Sequence, residues 1–230
     1  MSLTSRSALS RVESESGDLA APVRARLAAL CAEHDAHARF LNTLSLLEHI
    51  GGRKIMASQS RGELNRDTLK HLAEETRHAF FFKRAAEKFA GKALDYGEGH
   101  TLAGGSARQY MGRLDAQIAD ALGADANERA YLYMSLIVEL RAVWFYRLYR
   151  GVLEKRKISV ALGGVLAEEE LHLAGMLTRL GALDPELEER VAAFSAFEDR
   201  RFRAFWREIE RQSSKVDSVQ RRTAPVSMPK

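Results

Sequence analysis

Six residues of the chain have the types and spacing of a binding site for two metal ions. Glu75 is followed three residues later by His78, and Glu169 is followed three residues later by His172. Residues three apart lie on one face of an α-helix, so each glutamate and its histidine can point at the same spot. Two further glutamates complete the order Glu, Glu-x-x-His, Glu, Glu-x-x-His: Glu48, Glu75, His78, Glu139, Glu169 and His172.

The two glutamates outside these pairs are the most unusual members of the set. Glu139 is the sole acid in the segment YLYMSLIVELRAVWFYRLY, and Glu48 directly follows LNTLSLL. A lone acid with apolar residues around it is rarely buried unless it is paired or bound to a cation. Glu75 and Glu169 each have an alternative reading, because Glu75 can pair with a surface arginine and Glu169 lies in a run of three glutamates.

Four ionised carboxylates in one core would repel, and each would cost several kcal/mol of desolvation. Two divalent cations cancel these four charges, and two neutral imidazoles complete the coordination. Oxygen and imidazole ligands together suit iron or manganese. We therefore predict two iron ions, with manganese or a mixed Mn/Fe pair as the alternative, about 3.5–4 Å apart. The four glutamates are also the predicted catalytic residues.

The remaining acids and histidines near these positions are not expected to be ligands. Glu74, Glu168 and Glu170 each neighbour a predicted ligand, but a step of one residue turns a side chain by about 100° around the helix. We expect them to orient the ligands or to lie at the surface. Five histidines fall off the apolar stripes, near a helix start or in a glycine-rich loop: His34, His37, His49, His71 and His100.

Apolar stripes with a spacing of three and four residues predict the helices that must position the site. Four long helices are expected over residues 33–59, 67–90, 127–153 and 158–180, each carrying one of the glutamates. A short helix near Pro22 precedes them, and Asp67 is the expected cap of the second long helix. A crossover from Gly91 to about Asn127 contains one helix at 106–122, and a fifth long helix from Asp184–Pro185 to about 212 covers the core.

The expected fold class is therefore all-α. The expected organisation is a disordered leader over residues 1–21, a helical bundle over 22–213 and a flexible basic tail over 214–230.

Composition narrows the class of protein. Hydrophobic residues make up 46% and charged residues 29%, an ordinary balance for a globular domain. A single cysteine, Cys31, excludes a disulfide within the chain and favours a reducing compartment. The start of the chain lacks the apolar segment of a signal peptide, and no uncharged run reaches the roughly 18–20 residues that span a bilayer. We expect a soluble, cytoplasmic protein without a membrane span.

The positive charge of the chain does not predict a nucleic-acid partner. The net charge is +4 and the pI about 9.3. Part of this excess lies in the tail, and the predicted bundle has no clustered basic face, which nucleic-acid binding normally needs.

With this order of ligands, residues 33–180 resemble the ferritin-like superfamily, which includes ferritins, bacterioferritins, rubrerythrins, ribonucleotide reductase small subunits and bacterial multicomponent monooxygenases. The resemblance implies a ferritin-like four-helix bundle with a long crossover between its second and third helices. Residues 136–175 are similar in spacing to bacterial aldehyde-deformylating oxygenases: an acid in an apolar helix, then Tyr146 and Tyr149, then Gly164 and Val165 ahead of Glu169 and His172. The first half departs from that family, so the metal ligands carry over and the substrate does not.

Three functions are compatible with this reading. The first is an oxidase or oxygenase that activates O2 and oxidises a small, largely apolar organic substrate, with an unidentified electron donor and, as an option, a second copy of the chain as partners. The second is a ferroxidase or peroxide-scavenging protein similar to ferritin or rubrerythrin. The third is a non-enzymatic interaction module stabilised by metal.

For the first function, the expected walls of the substrate cavity are Leu44, Phe82, Tyr146 and Met176, one from each ligand helix. Tyr146 lies one heptad after Glu139 and is either redox-active or part of the core. Small residues near the ligands, including Gly51 and Gly52, either leave room for a substrate or let the helices pack closely.

Overall fold

The computed structural model describes residues 3–58, 65–123 and 126–223, with side chains up to residue 214. Within these residues the chain forms eight helices and no strand, which confirms the all-α prediction. The helices are α1 (Ser5–Glu15), α2 (Gly17–Leu30), α3 (His34–Ser58), α4 (Arg66–Ala90), α5 (Gly104–Leu122), α6 (Asn127–Arg156), α7 (Gly163–Leu183) and α8 (Leu187–Thr223).

Four long helices, α3, α4, α6 and α7, surround a common interior. α3 packs against α4 and α6, and α7 packs against α6 and α4, so that each helix contacts two of the others. The remaining helices cover this group from outside. α5 contacts α3 and α6, α8 contacts α5 and α6, and α1 and α2 both pack on α6.

Helix α4 illustrates how the sequence sets the inward face. The side chain of Asn65, and not that of the expected Asp67, caps the helix by accepting a hydrogen bond from the backbone N–H of Thr68. The helix ends at Gly91, whose φ of 66° suits a residue without a Cβ atom. The buried positions between these ends recur every three or four residues: Thr68, His71, Glu75, His78, Ala79, Phe82 and Ala86. The inward face of α4 therefore consists partly of polar side chains.

The two ends of the chain differ from the predicted disordered leader and tail. Residues 5–15 form α1, which begins with a capping box between Thr4 and Ser7 and buries Ala8, Leu9 and Val12. The apolar residues of this segment have an amphipathic spacing, but the many serines and acids between them made it difficult to recognise in the sequence. α2 begins before Pro22 and contains it, and α8 continues into the predicted tail as far as residue 223. Residues 224–230 of that tail lie outside the described residues.

A buried ionic network joins α6 to α8 and to the start of α2. The guanidinium of Arg141 donates hydrogen bonds to both carboxylate oxygens of Glu198, to Asp199 at 3.0 Å and to the hydroxyl of Ser16 at 2.8 Å. The hydroxyl of Tyr110 on α5 donates to the same Glu198 at 2.6 Å. Arg141 and Glu198 are both buried, so their pairing compensates for the loss of water around two charges.

The helices within the described residues do not meet the requirements of a membrane span. None of them combines the length and the apolar character that crossing a membrane demands.

We predict that Glu198→Ala lowers the free energy of unfolding by about 3 kcal/mol, because it leaves the buried charge of Arg141 with only part of its partners. Urea unfolding measures the loss. The matched control is Glu154→Ala, which removes an exposed partner of Arg150 at 3.6 Å and should change stability by at most about 0.5 kcal/mol. Equal losses in the two variants would contradict the structural role of the network.

Candidate metal centre

The structure brings all six predicted ligands together in the interior of α3, α4, α6 and α7. Their coordinating atoms form two groups that share Glu75, and within each group all ligand atoms lie within 4.8 Å of one another. The first group is Glu48, Glu75, His78 and Glu169, and the second is His71, Glu75, Glu139 and His172. The spacing of the sequence predicted this convergence; the binding of metal by these residues is proposed below.

His71 is the member of the centre that the sequence analysis did not expect. Its Nε2 atom lies 2.9 Å from Oε1 of Glu139 and 3.4 Å from Oε1 of Glu75. On the inward face of α4, His71 occupies the buried position four residues before Glu75, whereas the adjacent Leu72 is only partly buried. A signal was present, because His71 precedes Glu75 by four residues and His78 by seven, and these spacings place all three on one helix face.

The outward side of each predicted histidine ligand is held by an acid from the opposite helix. Nε2 of His78 on α4 donates to Glu168 of α7 at 2.7 Å, and Nε2 of His172 on α7 donates to Glu74 of α4 at 2.8 Å. Each of these acids directly precedes a predicted glutamate ligand in the sequence. Such a bond fixes the ring so that Nδ1 faces the interior, and it raises the basicity of that nitrogen.

The third flanking acid and the other histidines lie away from the centre. Glu170 forms a surface ion pair with Arg147 at 2.8 Å. The remaining four histidines belong to neither ligand group, as predicted: His34, His37, His49 and His100.

Several inward-facing atoms of the centre lack the hydrogen bonds that buried polar atoms normally make. His71 Nε2, His78 Nδ1 and both carboxylate oxygens of Glu139 are buried and make no well-aligned hydrogen bond within the described residues, although His71 Nε2 lies 2.9 Å from Glu139 and His78 Nδ1 lies 3.0 Å from Glu169. Leaving a buried polar atom unpaired costs about 1–3 kcal/mol. Cations between these atoms would satisfy all of them, and carboxylate oxygens with imidazole nitrogens are a suitable donor set for Fe²⁺ or Mn²⁺. The residues therefore fit a pair of such ions.

The carboxylates of the centre have strongly shifted acidities. Burial raises the pKa of Glu48, and the nearby charges of Glu75 and Glu169 raise it further. Burial also raises the pKa of Glu139. For Glu169 burial acts in the same direction, but its contacts with the histidines outweigh burial and lower the pKa to about 2. Without cations, the centre thus favours protonation at Glu48 and ionisation at Glu169.

Without cations, protonated histidines supply the positive charge of the centre. Burial alone would lower the pKa of each ring, but close contacts with the neighbouring carboxylates and their charges raise it to about 9 for His78, about 11 for His172 and about 12 for His71. Metal ions bind only neutral imidazole, so they must displace these protons.

Gly51 of α3 makes room for the carboxylate that belongs to both groups. A Cβ atom at position 51 would lie 2.7 Å from Oε2 of Glu75, whereas one at Gly52 would meet only ordinary contacts at 3.7 Å. The sequence analysis left open why small residues surround the ligands. At Gly51 the reason is the close approach of Glu75 to the backbone of α3.

Tyr146 contacts the centre through Glu48. Its hydroxyl donates a short hydrogen bond to Oε1 of Glu48, and its ring is buried. The tyrosine therefore positions a predicted ligand, in addition to packing in the core.

An apolar cavity of about 80 Å³ touches the four predicted glutamates. Apart from these acids, Arg141 and the tyrosines Tyr110 and Tyr146, its walls are apolar, and α8 supplies three of them: Phe202, Phe205 and Trp206. Leu44 and Tyr146 line this cavity as predicted. Phe82 and Met176 do not: Phe82 lies behind the ring of Tyr146 at 5.5 Å between centroids, and Met176 lines an outer groove beside His172.

A second, larger cavity of about 320 Å³ reaches the centre from another side and touches His71, Glu75 and Glu139. Its lining is more polar and includes the ion pair of Lys54 with Asp115 at 2.5 Å. Residues Gly51, Met111 and Val138 line both cavities. The centre is thus bordered by one apolar and one partly polar compartment.

Comparisons of the chain with protein-family models, with curated proteins and with solved structures give no match.

We predict that Fe²⁺ or Mn²⁺ raises the thermal midpoint relative to chelator-treated protein. Binding to the folded state alone adds about 2.7 kcal/mol at a metal concentration one hundred times Kd. The rise should be larger at pH 8 than at pH 6. The raised histidine pKa values stabilise the metal-free protein fully below about pH 6.5, which is the pKa of histidine in an unfolded chain. This stabilisation is lost as the pH rises towards the pKa values of the folded protein. At higher pH more of the rings are also neutral and able to bind metal. Identical midpoints with both metals and with chelator would contradict a preformed centre.

We predict that Gly51→Ala abolishes most of this metal-induced rise while the metal-free protein keeps its stability. The new methyl group displaces only the end of the flexible Glu75 side chain, which is cheap for the fold but moves a ligand of both groups. Gly52→Ala is the matched control, since it brings the same gain in helix propensity without touching a carboxylate oxygen. Melts of both variants with and without metal test this, and equal metal responses would show that Glu75 is not a ligand.

Proposed function

We propose that the protein is a ferritin-like four-helix bundle that binds two iron ions and uses them to activate O2 for the oxidation of a small, largely apolar organic substrate. The observation that carries the proposal is the apolar cavity of about 80 Å³ that touches all four glutamates of the centre. A cavity of this kind next to buried metal ligands excludes water from the reacting groups.

The arrangement of the helices supports the bundle. The mutual packing of α3, α4, α6 and α7, and the long connection between α4 and α6 that contains α5, agree with two helical hairpins joined by a crossover. Each hairpin contributes one lone glutamate and one Glu-x-x-His pair, which is the ligand set of di-iron carboxylate bundles.

In this proposal the six predicted residues and His71 hold the ions, and the bound pair supplies the electrons for reaction with O2. The residues of the chain prepare the site for that chemistry. Glu74 and Glu168 orient two histidines, Tyr146 holds Glu48, and Gly51 admits Glu75. Manganese in one or both positions is the alternative composition, because the same ligands suit it.

The size of the cavity limits what can enter it. A cavity of roughly 150 Å³ is enough to hold benzene, and the volume here is about 80 Å³. O2 or the reacting end of a slender molecule fits this space, whereas a bulky ring system does not.

The second candidate function is a ferroxidase, in which iron itself is the substrate. The observation that favours it is the partly polar cavity of about 320 Å³, since hydrated cations need polar groups along their route to the ligands. Lys54, Asp115 and Tyr131 line that route, and it ends at Glu139.

We predict that the reduced, iron-loaded protein converts at least one organic compound when it is mixed with O2 and a panel of small aldehydes, fatty acids and aryl amines. Mass spectrometry follows the products, and stopped-flow absorbance follows iron oxidation. Multi-turnover iron oxidation without product from any compound would favour the ferroxidase instead.

Two truncations sharpen this experiment. Leu44→Ala enlarges the apolar cavity and should shift preference towards larger substrates or uncouple O2 consumption from product, with both metals still bound. Met176→Ala removes a buried side chain of similar size that lies outside that cavity, so the same preference as in the unmodified protein is expected. A ferroxidase would tolerate both changes.

A further inference from the structure

The two halves of the proposed bundle, α3 with α4 and α6 with α7, repeat the Glu and Glu-x-x-His ligands but differ at two positions near them. Aligning Glu75 with Glu169 places His71 opposite Val165, because each precedes its glutamate by four residues. Aligning Glu48 with Glu139 places Phe40 opposite Tyr131, because each precedes its glutamate by eight residues. Val165 and Phe40 are buried and apolar, so the half formed by α6 and α7 lacks the histidine and the half formed by α3 and α4 lacks the hydroxyl.

His71 of α4 and Tyr131 of α6 contact each other across the two halves, and His71 also contacts the centre. Nδ1 of His71 lies 2.8 Å from the hydroxyl of Tyr131, and Nε2 faces Glu139 and Glu75. For Nε2 to bind a cation it must be unprotonated, so Nδ1 carries the hydrogen and donates it to Tyr131. His71 thus faces the centre with Nε2, whereas His78 and His172 face it with Nδ1.

We infer that His71 is a third histidine ligand, positioned by Tyr131, and that it makes the two metal positions chemically unequal. This inference rests on the proposed pair of cations. One position then has two imidazoles and two carboxylates, from His71, His172, Glu75 and Glu139. The other has one imidazole and three carboxylates, from His78, Glu48, Glu75 and Glu169.

The difference in ligands has a consequence for the choice of metal. Imidazole nitrogen suits iron, whereas carboxylate oxygen suits manganese, and iron binds a given nitrogen-containing site more tightly than manganese does. When both metals are offered, iron accumulates at the position beside His71, and manganese is found mainly at the position beside Glu48.

The cavities follow the same division. The apolar cavity touches Glu48 but not His71, and the partly polar cavity touches His71 but not Glu48. Both cavities also touch Glu75 and Glu139, so the division concerns Glu48 and Glu169 on the apolar side and His71 on the polar side.

The support of His71 also differs from that of the other two histidines. A carboxylate holds the outer nitrogen of His78 and of His172, whereas a neutral phenol holds that of His71. Loss of such a supporting group typically weakens metal binding 10- to 100-fold. We expect Tyr131→Phe to weaken one of the two ions about tenfold and His71→Ala to weaken the same ion more strongly.

The test loads metal-free protein anaerobically with equal concentrations of Fe²⁺ and Mn²⁺. Anomalous scattering from crystals, recorded at the iron and manganese absorption edges, gives the Fe:Mn ratio at each position. Calorimetric titration with Fe²⁺ alone compares His71→Ala, Tyr131→Phe and the control His49→Ala, which alters a histidine of α3 outside both groups. The expected result is a higher Fe:Mn ratio beside His71, weaker binding of one ion in the first two variants and no change in the control.

Equal Fe:Mn ratios at the two positions, or unchanged affinities in both site variants, would overturn the inference while leaving the metal pair intact. The absence of bound metal in the unmodified protein would instead overturn the proposed function itself. If His71→Ala does not fold, the Fe:Mn ratios of the unmodified protein and the affinity of Tyr131→Phe decide the question.

Discussion

The repulsion among four buried glutamates is the constraint on which the rest of this structure depends. Helices α3, α4, α6 and α7 each direct one carboxylate into a common interior. Such an arrangement is stable only if positive charge lies among the acids. In the absence of cations the three histidines of the centre provide that charge as protons, which is why their pKa values are raised. In the proposed function two metal ions replace those protons. The cluster of buried carboxylates, which on its own destabilises the fold, thus also provides the binding site.

Residues from several helices around the centre position its ligands and cover it. The acids beside His78 and His172 come from the facing helix, and Gly51 gives way to Glu75. Helices α5 and α8 close the apolar cavity, and they are held to α6 by the buried pairing of Arg141 with Glu198. A wall of the cavity and a large part of the covering layer therefore depend on a charge pair that is not itself part of the centre.

The helices and the six predicted ligands could be predicted from the sequence because inward residues recur every three or four positions. Glu139 was conspicuous because its neighbours are apolar, and the Glu-x-x-His pairs were conspicuous because three residues nearly complete a turn. His71 was missed because the apolar Leu72 beside it also lies near the inward face of α4, and the helix of residues 5–15 was missed because serines and acids interrupt its apolar face. The cavity walls were predicted only in part, because Phe82 packs against the ring of Tyr146 outside the cavity and Met176 lines an outer groove instead. The pairing of Arg141 with Glu198 joins residues far apart in the chain, so no local sequence pattern predicts it.

The crossed bonds between Glu74 and His172 and between Glu168 and His78 make each hairpin depend on the other. A single hairpin would carry a complete Glu-x-x-His pair, yet the outer nitrogen of its histidine would have no acceptor from its own helices. Two copies of one hairpin could supply each other with these acceptors, and they would produce a symmetric centre. When both hairpins belong to one chain, the crossed bonds between acids and histidines are kept, but the two hairpins can differ in sequence. A difference such as that between His71 and Val165 can then arise in one hairpin while the other keeps its own residue.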